Sequence, residues 1–308
     1  KYQVGDLQAA WGGAKDLWLS GSNRPAACDV LFGAWRASGA QDPLAYLERI
    51  RLAMKAGNTR LVNTLAGQMP ADYQTISAQV LSLAANPDSV LSFAQNTGNT
   101  DFTRQMAAIA FSRVARQDVE NARALIPMLA AAQKLSDEQV QALRDTVAWQ
   151  LMGSDVTDEQ ARWRDDAIMR SGSTSLLERR VRLAIGAGDR KGLDTWLSRL
   201  PMEAKEKDEW RYWQADLLMD SGREAEAKEI LHGLMKERGF YPMVAAQRLG
   251  EDYPIRVEKT EGTASAELVN SPEMARVREL MYWNLDNTAR AEWANLVRSR
   301  TPAEQGQL

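Results

Sequence analysis

The chain has 308 residues and a mass of 34.3 kDa, and its 44% hydrophobic content is enough for a sizeable core. With 38 basic and 41 acidic side chains the net charge is −3, which argues against the basic surplus of nucleic-acid binders, and no nucleic-acid partner is expected. One histidine, His232, and one cysteine, Cys28, leave no Ser-His-Asp or Cys-His triad unless those two residues serve; Cys/His zinc sites and intrachain disulfides are excluded, and neither metal nor cofactor is expected.

Apolar residues recur at three-to-four spacing from the start: Leu7, Trp11 and Trp18; Leu44, Leu47, Ile50 and Met54; Val140, Leu143, Val147 and Leu151; Trp210, Trp213 and Leu217. The period is helical throughout. Gly21, Gly39, Gly57, Gly98, Gly188, Gly222 and Gly239 mark C-caps, while Asp42-Pro43, Thr100 and Ser136 open helices. Capping boxes are predicted at Ser136-Asp137-Glu138-Gln139 and Thr157-Asp158-Glu159-Gln160. From Gly250 to Ser271 the period gives way to Gly, Pro, Thr, Ser and charges, which reads as a linker and the main boundary. Inside it lies one weak strand-like alternation, Ile255-Arg256-Val257. Helices resume at Ser271-Pro272 with Met274, Val277 and Met281 on one face, followed by a second carrying Trp293, Leu296 and Val297. Thr301-Pro302-Ala303-Glu304 then opens another helix four residues before Leu308. Together with a start at Lys1, without initiator Met or signal segment, this reads as a piece of a longer protein. No apolar run approaches the roughly eighteen residues of a membrane span.

An internal repeat decides the architecture. Arg51 to Pro70 and Arg182 to Pro201 align without a gap, pairing Gly57 with Gly188, Asn58 with Asp189, Val62 with Leu193 and Pro70 with Pro201. A degenerate third copy turns at Gly222, 34 residues after Gly188, which is the period of tetratricopeptide helix pairs. Each copy is an αα-hairpin that can bury its stripe only against neighbours. The predicted fold is all-α: a right-handed superhelix of stacked αα-hairpins, forming a horseshoe or partial ring.

Candidate chemistry is sparse. Glu203, Glu206, Glu209, Glu224, Glu226 and Glu229 sit at helical spacing among lysines and read as a solvated face. His232, between Leu231 and Gly233 late in a helix, reads as a packing or dipole residue. Trp11, Trp18, Trp35, Trp149, Trp196, Trp210 and Trp213 are assigned to apolar stripes, mostly as core anchors in preference to sugar-stacking platforms. Charge is uneven: Arg162 to Leu200 holds nine basic and five acidic residues, Glu203 to Glu229 five and nine. Arg179, Arg182, Arg190 and Lys191 are therefore candidates for an anionic polymer, unless the opposite stripes neutralise each other across the stack. Cys28 is a small core residue in a cytosolic chain, or half of a disulfide in an extracytoplasmic one.

Longer strings carry a resemblance. Asp42 to Gly57 (DPLAYLERIRLAMKAG), DEWRYWQAD from Asp208, REAEAKEILH from Arg223, GFYPMVAAQR from Gly239 and MARVRELMYWNLDNTAR from Met274 closely resemble the soluble lytic murein transglycosylases of enterobacteria. The resemblance implies a periplasmic enzyme that cleaves the β-1,4 bond between N-acetylmuramic acid and N-acetylglucosamine without water, leaving a 1,6-anhydromuramic acid end. It implies a helical horseshoe closed by a small linker domain, with a lysozyme-like domain seated on the ring. The family's catalytic acid is a Glu in a Glu-Ser motif, followed by a Gly-Leu-Met-Gln motif; this sequence contains neither. Residues 1–270 are therefore expected to be an N-terminally truncated superhelical domain, and 271–308 the beginning of the linker domain. By the same resemblance the partner of Cys28 lies a few residues before Lys1. The expected role is non-catalytic, holding or positioning peptidoglycan glycan strands, and the expected state is a monomer. The alternatives are a helical-repeat scaffold for a protein or peptide and an autonomous enzyme with a carboxylate site.

Overall fold

The computed structural model describes residue 2 and residues 5–153, 155–255 and 263–308. Among them there is no strand. Ile255 is irregular and 82% exposed; Arg256 and Val257, the rest of the strand-like alternation, lie outside the described residues.

Backbone contacts divide the chain into two units, Lys1–Ile230 and Leu231–Leu308. The first contains α1 (Leu7–Trp18), α2 (Ala27–Ala37), α3 (Pro43–Lys55), α4 (Thr59–Ala66), α5 (Gln74–Ala85), α6 (Val90–Asn96), α7 (Asp101–Gln117) and α8 (Val119–Gln133). It continues through α9 (Asp137–Gln150), α10 (Asp158–Met169), α11 (Thr174–Gly186), α12 (Arg190–Ser198), α13 (Met202–Lys205), α14 (Asp208–Asp220) and α15 (Glu224–Leu234), the last crossing the division. Pairs α3–α4, α7–α8, α9–α10 and α11–α12 pack as hairpins, and α3 on α7, α7 on α9 and α12 on α14 stack one pair on another.

The repeat is visible at the level of single hydrogen bonds. At Gly57 (φ +74°) the glycine N–H donates to Met54 O and the next N–H, from Asn58, to Ala53 O at 2.9 Å. The same two bonds recur at Gly188 (φ +66°), where Asp189 N reaches Ala184 O, and at Gly222 (φ +77°), where Arg223 N reaches Leu218 O, each at 2.9 Å. This is a Schellman cap, which needs a left-handed residue and so selects glycine. In the first two copies the following residue also caps the next helix, Asn58 accepting from Leu61 N and Asp189 from Gly192 N. Both predicted capping boxes are formed. Gly21 differs from its predicted C-cap role: an added Cβ would stand 2.4 Å from Leu52 O, so this glycine permits a close approach to α3.

Two apolar clusters fill the first unit, one reaching from Ala14 to Leu151 and one from Ala148 to Trp210. Neighbouring residues of α9 serve both, Val147 in the first and Ala148 in the second. Trp18 anchors the N-terminal end, packing edge-on against Phe32, Trp35 and Tyr46 at 5.1, 6.2 and 5.0 Å between centroids and donating Nε1–H to Ala45 O. Gln133, fully buried on α8, donates to Ala94 O and accepts from Thr103 Oγ1, which ties α6, α7 and α8 through a satisfied polar group.

The second unit holds α16 (Phe240–Leu249), α17 (Ala266–Val269), α18 (Pro272–Tyr282), α19 (Asp286–Arg298) and α20 (Pro302–Gln307). Helices α18 and α19 pair across a turn at Asn284 (φ +54°), burying Val277, Ala289 and Leu296. Met281, predicted on that apolar face, is instead exposed in the last turn of α18, beside exposed Tyr282 and Trp283.

Substituting Gly188→Ala places a Cβ in open space but keeps the left-handed backbone, so the expected loss is about 1 kcal/mol by urea unfolding. Gly12→Ala, in the interior of α1 and equally open, is expected to gain about 1 kcal/mol. Equal effects of the two substitutions would contradict the assigned roles.

Candidate functional site

The predicted basic residues lie on α11 and α12, and the structure gives them different company. Arg182 forms a bidentate pair with Glu209, at 2.8 and 2.5 Å, and lies over the Trp210 ring at 4.8 Å. Arg190 donates to Asp216 at 2.7 Å and also pairs with Asp220. The charge of both arginines is met by the acidic helix α14. Lys191 is exposed on the first turn of α12, beside Arg190 on a groove of about 690 Å³ that also displays Asp194, Asp220 and Arg223. Arg179 does not line that groove; its guanidinium stands 4.3 Å from the Trp149 ring centroid.

Trp149 corrects a sequence assignment. Trp18, Trp35, Trp196 and Trp210 are buried, and Trp11 and Trp213 are half-buried, but Trp149 is 39% exposed. Its position explains this. On α9 the buried stripe runs Leu143, Val147, Leu151, and a residue two beyond Val147 lies about 200° around the helix, away from the core. Trp149 lines a cleft of about 540 Å³ with Ser112, Arg116, Asp145, Thr146 and Ser173.

Ion pairs at Asp165 and Glu178 fix charge in the first unit. Arg164 and Arg180, 4% and 7% exposed, both donate to Asp165, at 2.8 Å for Arg164 and at 2.7 and 3.0 Å for Arg180. Burial pushes the Asp165 carboxyl up, but the hydrogen bonds and charges of Arg180 and Arg164 outweigh it and hold the group below its ordinary value. Glu178, 8% exposed, accepts from Lys207 Nζ at 2.5 Å and Trp210 Nε1 at 2.9 Å. Burial again acts upward, and those two donors leave the carboxyl lowered. A general acid for glycosidic cleavage needs the opposite, a carboxyl raised toward neutrality. Among the described residues every carboxylate with a resolved shift is lowered.

His232 is exposed and shares a 2.8 Å hydrogen bond with Glu251, so it does not pack in the core. Cys28 is a free, half-buried thiol against the N-terminal cluster. Among the described residues no group of three or more His, Cys, Asp or Glu converges to hold a metal, and no helix is long and apolar enough to cross a membrane.

Comparison with known proteins gives this geometry a family. The whole chain is 71% identical, over 308 residues, to the soluble lytic murein transglycosylase of Escherichia coli K12 and to that of Salmonella typhimurium. Along its whole length the chain matches members of the soluble lytic murein transglycosylase family. It spans about half the length of these relatives, 48%. The family's L domain matches residues 267–308, from α17 to α20. The crystal structure of the 70-kDa soluble lytic transglycosylase of E. coli superposes with a TM-score of 0.87, covering 100% of this chain and 50% of that one. An inactive mutant of lytic transglycosylase Slt from Pseudomonas aeruginosa, at 26% identity, gives 0.69 over 99% of this chain and 50% of its own. The fold thus persists in this transglycosylase family across a wide range of sequence.

The Asp165 cluster makes a pH prediction for this protein. The folded-state pKa is lower than the unfolded one, so the stabilisation is present above the unfolded carboxylate pKa of about 4 and is lost as pH falls through that value and the lower folded one. Wild type is expected to lose stability steeply below about pH 5, and Asp165→Asn to show a shallower acid limb while losing on the order of 3 kcal/mol at pH 7, where it leaves two buried cations unpaired. Parallel acid limbs in urea titrations of the two proteins would contradict the assignment.

Proposed function

We propose that this chain is the non-catalytic helical portion of a peptidoglycan lytic transglycosylase and that its stacked helices hold glycan strands for an acid-bearing domain carried elsewhere in the enzyme. The observation that carries the reading is the 71% identity along all 308 residues to soluble lytic murein transglycosylases. Two features support a holding role in preference to cleavage: the Glu-Ser and Gly-Leu-Met-Gln motifs are not in the sequence, and the half-buried Asp165 and the buried Glu178 are fixed in their ionised form by cationic neighbours. In this reading residues 1–270 form the superhelical domain and 271–308 begin the helical linker domain. The enzyme works in the periplasm as a monomer, cleaving the N-acetylmuramic acid to N-acetylglucosamine bond to give 1,6-anhydromuropeptides. The helical portion contributes proximity: a strand held in register meets the acid at high effective concentration.

Incubating the purified chain with murein sacculi is expected to give co-sedimentation without release of 1,6-anhydromuropeptides. Release would place a catalytic carboxylate within these residues, and absence of binding would remove the holding role.

A further inference from the structure

Among the described residues of the first unit, five arginines stack on tryptophan rings: Arg49 on Trp18, Arg123 on Trp163, Arg179 on Trp149, Arg180 on Trp196 and Arg182 on Trp210. In three of them the guanidinium is also held by carboxylate: Arg123 by Glu120 and Glu159, Arg180 by Asp165, Arg182 by Glu209. Arg49 has no carboxylate ion pair among the described residues, but it and Trp18 are buried, at 4% and 2% exposure. Only Arg179–Trp149 combines an exposed ring with an exposed guanidinium that has no carboxylate partner among the described residues. A second such cation lines the cleft that Trp149 lines: Arg116 is exposed, bonds only the Ser112 carbonyl through Nε, and pairs with no carboxylate among the described residues. The one acid lining the cleft, Asp145, is already engaged, accepting from Ser171 Oγ at 2.6 Å and Gln141 Nε2 at 2.7 Å.

We infer that Trp149, Arg179 and Arg116 form a sugar site on α7, α9 and α11, in which the indole stacks on the C–H face of an N-acetylated hexose and the guanidinium groups receive a carboxylate of the strand. This deepens the holding role and rests on it. An exposed indole offers the flat apolar surface that a pyranose face matches, and Ser112, Thr146 and Ser173 around it supply hydroxyls for the ring substituents. Two uncommitted guanidinium groups favour a strand that carries acid groups, as muramic acid does through its lactyl carboxylate, over a neutral one. Arg182 and Arg190, whose charge is met within the protein, are not part of the site.

The test uses the 308-residue chain with two soluble probes: peptide-free murein glycan strands, whose lactyl carboxylates are free, and neutral N-acetylglucosamine oligomers. Trp149→Ala is expected to weaken binding of both by about tenfold, and Trp149→Phe to restore most of it. Arg179→Gln is expected to weaken the murein strands by about threefold and leave the neutral oligomers unchanged, with a reduced salt dependence. Because Trp149 and Arg179 are exposed, all variants are expected to keep the wild-type unfolding midpoint, checked by circular dichroism. If wild type binds murein strands and Trp149→Ala binds them equally well, the site is overturned while the holding role stands. If wild type binds neither probe, both fall. Equal losses on the two probes for Arg179→Gln would overturn the carboxylate contact.

Discussion

A pair of helices a dozen residues long exposes a stripe of large apolar side chains that the pair alone cannot cover, and the first unit is built on that constraint. Each hairpin is completed by the next: α3 rests on α7, α7 on α9, and α12 on α14. The recurring Schellman turn at Gly57, Gly188 and Gly222 sets the angle at which one helix of a pair returns along the other, so one local hydrogen-bond pattern determines how successive stripes meet. Helix α9 sits where the two apolar clusters adjoin, with Val147 committed to one and Ala148 to the other. The remaining side of that helix is only partly covered, and Trp149, under Arg179 and at the wall of a cleft, occupies that side.

Stacking also forces a solution for charge. A helix packed on both sides has little free surface, and long cationic side chains near its edges must either reach solvent or find a partner on the adjoining layer. Arg180 and Arg164 take the second course, sharing Asp165 between α10 and α11, and Arg182 and Arg190 reach across to α14. Cation over aromatic ring recurs because an arginine stem lying on a neighbouring indole buries apolar area while its head stays available to a carboxylate. Where the carboxylate is missing and the ring is open, at Arg179 and Trp149, the same motif becomes a surface able to receive something from outside.

Much of this was legible in the sequence, and the exceptions have identifiable causes. The gapless match between Arg51–Pro70 and Arg182–Pro201 anticipated the hairpin because a turn glycine, a capping Asn or Asp and an apolar position at fixed offsets are direct consequences of backbone hydrogen bonding. The capping boxes at Ser136 and Thr157 are equally local and were equally readable. The sequence places Trp149 on an apolar stripe with the other tryptophans; its two-residue offset from Val147 is the contrary signal. Arg180, one position before buried Val181, was a cation on an apolar face and in principle detectable, but its partner Asp165 lies fifteen residues away and is chosen by packing. The pairing of Arg182 and Arg190 with α14 was visible only as opposite charge in adjacent segments; the partners became specific once the layers were in place. Gly21 resembles a helix stop in sequence and proves to be a contact with Leu52, which no local pattern encodes. Of the stripe Met274, Val277 and Met281, only Val277 is fully buried, and Met281 in the last turn of α18 is exposed.

A folded stack that meets the charge of Arg182 and Arg190 within the protein, holds Asp165 and Glu178 in their ionised form and leaves Arg116, Arg179 and the Trp149 indole exposed fits the proposed role of holding an anionic sugar polymer. The most direct test of that account is hydrogen exchange of the 308-residue chain with and without purified murein glycan strands. Slower exchange on ligand addition, concentrated in α7, α9 and the first half of α11 around Trp149 and Arg179, is the predicted result. No protection anywhere, or protection confined to residues 231–308, would contradict it.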